Sequence, residues 1–148
     1  MINELTILNK MKEVIGSQLN NHLDGDIPKI DEKNVTIDFP EVDLMPKNIM
    51  FYLQPNYSSY ENMTTEGDSS TFTISVFIIC KKDKQENLTK KVYHYFNSLY
   101  DLLRKNITLD DTVDFVDIES ADYFPAVEGN RNVQAIEMLA NVRYTKEW

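Results

Sequence analysis

Residues 71–80 read Thr-Phe-Thr-Ile-Ser-Val-Phe-Ile-Ile-Cys, and no other segment limits the fold as tightly. Side chains alternate across an extended strand, so Phe72, Ile74, Val76 and Ile78 share one face while Thr71, Thr73 and Ser75 share the other. That alternation of β-branched and aromatic with polar residues predicts a half-buried strand, and Phe77 and Ile79 make both faces apolar toward its end. Cys80 closes the run and reads as a small buried apolar residue, since no His stands near it in sequence to activate a thiol.

A second apolar run, Ile49-Met50-Phe51-Tyr52-Leu53, predicts a buried strand upstream. The 17 residues from Gln54 to Ser70 are polar and exceed an ordinary hairpin connection. Either the two strands continue outward as a projecting ribbon, or the segment is a loop that a partner orders. Tyr57, Tyr60 and Met63 stand among small polar residues there, the composition of a contact surface or of a loose hairpin tip.

Two helices are expected. Leu5, Leu8, Met11, Ile15 and Leu19 recur at spacings of three and four behind the N-cap candidate Asn3, and Asp24-Gly25-Asp26 supplies a stop. Leu88, Val92, Tyr95, Phe96, Leu99, Leu102 and Leu103 form a broader stripe, capped by Asn87 and closed by Arg104 and Lys105, where cations suit the helix dipole. His22 reads as a surface residue and His94 as a partly exposed one.

The region holding Pro28, Pro40 and Pro46 predicts one short half-buried strand through Val35, Ile37 and Phe39. Proline on both sides confines Glu41 to Met45 to a sheet edge or a loop. Val113, Phe115 and Ile118 suggest another strand, and Ile136, Met138, Ala140, Val142 and Tyr144 a long final one with a single apolar face. The fold class is α+β: a two-layer arrangement with a mostly antiparallel sheet of four or five strands, two amphipathic helices on one face and a long projecting hairpin. A length of 148 residues fits a single domain, 1–148.

Catalytic templates are absent: the sequence contains no G-x-G-x-x-G, Walker loop, G-x-S-x-G or H-E-x-x-H. One Cys and two His leave little for a thiolate or imidazole metal site, and the Asp-rich run lacks the D-x-[DN]-x-[DN]-G spacing of a calcium loop. The reading is therefore a non-enzyme with no cofactor, no metal and no catalytic residue. No stretch nears the ~20 apolar residues that span a bilayer, and no signal-like leader opens the sequence, so no membrane partner is expected. With 15 basic against 24 acidic residues the net charge is −9, which disfavours coating nucleic acid.

The charges are segregated. From 81 to 105 seven basic residues (Lys81, Lys82, Lys84, Lys90, Lys91, Arg104, Lys105) face three acids, whereas 106 to 130 hold seven carboxylates (Asp110, Asp111, Asp114, Asp117, Glu119, Asp122, Glu128) and no Lys or Arg. These are either solvated surfaces or complementary patches through which copies of the chain meet head to tail. The candidate inter-subunit contacts are Tyr57, Tyr60, Met63, Lys81, Lys82, Lys84, Lys90, Lys91, Asp110, Asp111 and Asp114.

This layout resembles the tail-terminator (tail-completion, minor tail) family of long-tailed bacteriophages. The likeness rests on the leading helix from Ile2 to Leu23 and on Phe39-Pro40-Glu41 to Met45-Pro46 entering the strand Ile49 to Leu53. It continues through the strand 71–80 running into a charged turn and the helix Leu88 to Leu103, the acidic strand region and the closing Ala140-Asn141-Val142-Arg143-Tyr144. The resemblance implies a virion structural protein made in the host bacterial cytoplasm. It implies a hexameric ring in the tail or neck that caps the tail tube, stops its polymerisation and joins it to the head-side connector. The implied partners are copies of the chain, the tail-tube protein and the head-tail connector protein, with DNA only as passing cargo. Another neck or tail-tube subunit, or a monomeric acidic module that mimics nucleic acid, is the alternative.

Overall fold

A computed structural model describes residues 1–62, 65–83 and 87–148. Met63 and Lys84, two of the candidate contacts, lie outside the described residues. The elements in chain order are α1 (Glu4–Gln18), β1 (Val35–Thr36), β2 (Ile49–Asn62), β3 (Gly67–Lys81), α2 (Leu88–Lys105), β4 (Phe115–Phe124) and β5 (Val133–Glu147). One five-stranded sheet has the order β1-β2-β3-β5-β4, with β1 parallel to β2 and the other pairs antiparallel. The architecture is α+β, as the sequence predicts.

Both helices start where a side chain satisfies their first free amides. Asn3 Oδ1 accepts from Thr6 N at 2.9 Å, and Asn87 Oδ1 accepts from Lys90 N at 3.1 Å. The α1 backbone continues as a tight 3-10 turn, Leu19–His22, before Gly25 reverses the chain at φ +64°. The two helices pack on one face of the sheet. Their core includes Ile7, Met11, Ile15, Tyr95, Leu99 and Leu102 against Phe51, Leu53, Ile74, Val76, Ile78 and Met138, all at most 1% exposed. Each such apolar side chain contributes roughly 1.5–3 kcal/mol by leaving water.

The frame of α1 differs from the sequence expectation at one position. Leu5 is 64% exposed, while Ile7 and Val14 are fully buried in its stead. The helix has rolled so that Ile7, Leu8, Met11, Val14 and Ile15 meet the core. His22 differs as well: it is half-buried, with Nδ1 at 2.9 Å from Asp101 Oδ2, and ties the end of the first helical segment to α2. Phe39 is 63% exposed because the first strand stops at Thr36, and Val113 lies before β4, where it is buried.

Within the polar stretch, residues 54–62 and 67–70 are strand. The β2 and β3 pairing runs from Ile49 opposite Cys80 out to Asn62 opposite Asp68, so the ribbon alternative is the one the chain adopts. β5 accompanies β3 along that whole length, to Gly67 opposite Glu147, making the extension three-stranded. Pro55 is tolerated because β1 pairs β2 only as far as Tyr52, leaving the outer edge beyond it without a ladder partner among the described residues.

The helix-free face of the sheet is divided. Toward the tip it is polar and internally bonded: Thr73 Oγ1 donates to Asn141 Oδ1 at 2.7 Å, Ser75 Oγ to Glu137 Oε2 at 2.7 Å, and Asn56 Nδ2 to Ser75 Oγ at 2.9 Å. Toward the other end a second apolar cluster (Val42, Met50, Tyr52, Ile79, Val133 and Ala135) forms under the 3-10 turn Val42–Leu44. This cluster is why Phe77 and Ile79 break the alternation of β3.

Candidate functional site

The candidate contact residues fall at distinct places. Tyr57 and Tyr60 sit on the distal half of β2 and point to opposite faces, since Tyr57 pairs Thr73 and Tyr60 pairs Ser70. Tyr57 is 64% exposed on the helix-free face. Tyr60 instead belongs to a cluster under the ribbon: its hydroxyl donates to Glu4 Oε2 at 3.2 Å, and Lys146 Nζ lies 5.1 Å from its ring centroid. Glu4 also accepts from Tyr144 and from Lys146 Nζ at 2.9 and 3.0 Å. Desolvation pushes the Glu4 carboxyl up, but hydrogen bonds from Tyr144 and Lys146 and the Lys146 charge bring it below its ordinary value. Burial, then the Glu4 contact, pushes the Tyr144 phenol far up, so it stays a donor.

The lysines gather at one end of the sheet. Lys81 closes β3, and Lys82 follows it with its amide bonded to Asn132 O at 2.8 Å. Lys90 and Lys91 lie in the first turn of α2. That turn is held against the same end of the sheet by Thr89 Oγ1, which donates to Gln134 Oε1 at 3.1 Å, while Gln134 pairs Cys80. The three aspartates lie past the opposite end of α2, roughly 27 Å away for an 18-residue helix.

Those aspartates are not equivalent. Leu109, Asp110 and Asp111 all occupy left-handed backbone, with φ of 49°, 58° and 62°. Such a turn costs ~1–2 kcal/mol per residue, and complete burial of Leu109 offsets part of it. Asp110 is tied within the subunit: Gln18 Nε2 donates to its two oxygens at 3.2 and 3.1 Å, Asn106 Nδ2 donates at 2.8 Å, and Lys10 Nζ lies at 3.3 Å. The Gln18 and Asn106 bonds hold its carboxyl below the ordinary value. Asp111 exchanges hydrogen bonds with Thr108. Asp114 is exposed, anchored by its backbone amide to Arg143 O at 2.9 Å.

Two further surfaces lie on opposite faces of the molecule, and charge counting along the sequence does not find them. On α2, Tyr93 and Tyr100 lie one above the other on the outer side, 38% and 40% exposed, and Phe96 between them packs against the core and touches both rings. The Arg104 guanidinium lies 5.3 Å from the Tyr100 ring centroid. On the helix-free face a groove of about 250 Å³ opens between Phe39, Val42, Phe77, Ile79, Phe124 and Val127. Glu128 lines it, and Glu41 and Asp43 line an adjoining hollow that shares Phe39, Pro40, Val42 and Glu128 with it. The i, i+3, i+7 spacing of the aromatics was a readable signal for the first surface. The groove depends on chain segments distant in sequence.

Among the described residues, no group of three or more His, Cys, Asp or Glu could hold a metal ion, and no helix is long and apolar enough to cross a membrane.

Neither the protein-family models nor the curated proteins contain a match to this chain. Solved structures do match. One is a chain of the virion of a native gene transfer agent particle, with TM-score 0.52 and 9% identity, covering 92% of this chain and 90% of that one. Another is the sheath/tube terminator of an extracellular contractile injection system, PVC, in the extended state, with TM-score 0.59 and 11% identity. The match covers all of this chain and 58% of that terminator chain. The common element is the fold. At such identities the likeness concerns backbone arrangement rather than particular side chains.

Proposed function

We propose that this chain is a tail terminator of a phage-type particle. In this reading it assembles as a ring, hexameric in the virion, on the last ring of the tail tube. There it stops tube growth and presents its other face to the head-side connector. It works by docking and catalyses no reaction. The observation that carries this reading is the fold shared across the whole chain with a sheath/tube terminator. Lys81, Lys82, Lys90 and Lys91 stand at the opposite end of α2 from Asp110, Asp111 and Asp114, with Arg104, Lys105 and Lys10 at the acidic end; the four lysines leave the two ends unlike, and head-to-tail contacts require two different surfaces. An acidic surplus of nine charges also suits a channel wall past which DNA slides without adhering.

The test is native mass spectrometry with negative-stain imaging, followed by addition of the protein to polymerising tail-tube protein from the same particle. A closed ring at six times the 17.3 kDa subunit mass, and tubes whose growth stops at capped ends, are expected. A species that stays monomeric at every concentration and leaves tube growth unchanged would overturn the reading.

A further inference from the structure

We infer that the lateral contact between neighbouring subunits is made by the aromatic stripe of α2 on one copy and the acid-rimmed groove on the helix-free face of the next; this rests on the ring reading above. The two surfaces fit each other in polarity. The stripe offers the partly exposed rings of Tyr93 and Tyr100, and the groove offers an apolar floor that takes one such ring. Aromatic residues set into apolar pockets are what usually anchor protein interfaces.

They also fit in charge. Lys90 and Arg104 stand at the two ends of the stripe, and among the described residues neither forms an ion pair. The one acid within that surface, Asp101, is occupied by His22 and Lys105. The rim carboxylates Glu41, Asp43 and Glu128 likewise have no cationic partner among the described residues. Asp110 is already engaged by Lys10, Gln18 and Asn106, so the rim carboxylates are freer to meet a neighbour's cations.

The arrangement also selects the symmetry. Stripe on stripe would oppose cations to cations, and groove on groove carboxylates to carboxylates, so a two-fold dimer through either surface is disfavoured. A stripe-to-groove contact leaves one groove and one stripe open in every dimer. It propagates until the rotation closes it, as a ring requires.

Complementation between two variants tests this. Tyr100→Ser with Arg104→Glu disables the stripe, and Glu41→Lys with Glu128→Lys reverses the rim; all four positions are on the surface, and unchanged thermal melts would verify folding. Each double variant alone is expected to self-associate at least about tenfold more weakly than the wild type by sedimentation velocity, the loss typical of removing an interface anchor. Mixed in equal amounts, the two should associate again, because the intact stripe of one meets the intact groove of the other. If both variants form the wild-type ring alone, the surfaces are misassigned while the ring reading stands. If each variant is monomeric and the mixture is too, the pairing of stripe with groove is wrong. If the wild type never assembles, with or without tube ends, the ring reading fails and this inference with it.

Discussion

Glu4 joins the first turn of α1 to the ribbon through Tyr144, Lys146 and Tyr60. The short-range part of this was readable: Asn3 as a cap is a local pattern, and an acid in the first turn suits the helix dipole. The partners 140 and 142 residues away were not, because only the pairing of β5 with β3 brings them there. Since the folded-state carboxyl lies below its ordinary 4.5, it contributes stability that is present above that pH and lost as pH falls through the folded value. Glu4→Gln keeps the shape and removes the charge. It should cost about 1 kcal/mol at pH 7, the modest figure reflecting the partial exposure of Lys146. Urea titrations at pH 7 and pH 3.5 check this: the gap between wild type and variant should narrow at the lower pH. An equal gap at both values would mean that the carboxylate charge is not what Glu4 contributes.

At the level of elements, the readable parts were those whose burial follows their own periodicity. The apolar stripe of α2 lies against the sheet as its spacing implies, and the faces of β3 alternate in residue type as written, although Thr73 and Ser75 on its polar face are buried as well and bond across the sheet. The frame of α1 was harder to read because Leu8, Met11 and Ile15 fit two overlapping stripes, and contacts with other segments decide between them. The distal ribbon could be read as either strand or loop because polar residues there face water or bond to one another across the sheet. Gly16 shows how such a neighbour overrides a local preference. A Cβ at this position would lie 2.8 Å from Glu32 Cα and 3.0 Å from Glu32 N, both backbone atoms of the adjoining 3-10 turn. Helix propensity alone would make Gly16→Ala stabilising by up to ~1 kcal/mol. Overpacking against backbone costs ~1–3 kcal/mol, so the net change should be destabilising. A thermal midpoint below that of the wild type is the expected readout. A higher midpoint would show that the Glu32 turn yields freely and that α1 is less firmly seated than its packing suggests.

Seen whole, the molecule carries a net charge of −9 together with a local basic end, and the two oppose each other when copies meet. Net repulsion acts between subunit centres, tens of ångströms apart, whereas a lysine or arginine meeting a carboxylate acts within a few. Salt separates the two. The screening length is about 30 Å at 0.01 M, 8 Å at 0.15 M and 3 Å at 1 M. At the lowest salt, repulsion between like-charged subunits reaches across the whole assembly and opposes association. Near 0.15 M the long-range repulsion is largely gone while contact pairs persist. By 1 M the contact pairs are weakened as well, and only the apolar part of the interface is left. Self-association should therefore pass through a maximum near 0.15 M, and sedimentation velocity across that series at one protein concentration measures it. A steady rise with salt to 1 M would mean that apolar burial alone drives assembly and that the charged residues at the two ends of α2 serve only to keep the subunit in solution. A steady fall from 0.01 M would mean that the contact pairs outweigh the net charge at every distance.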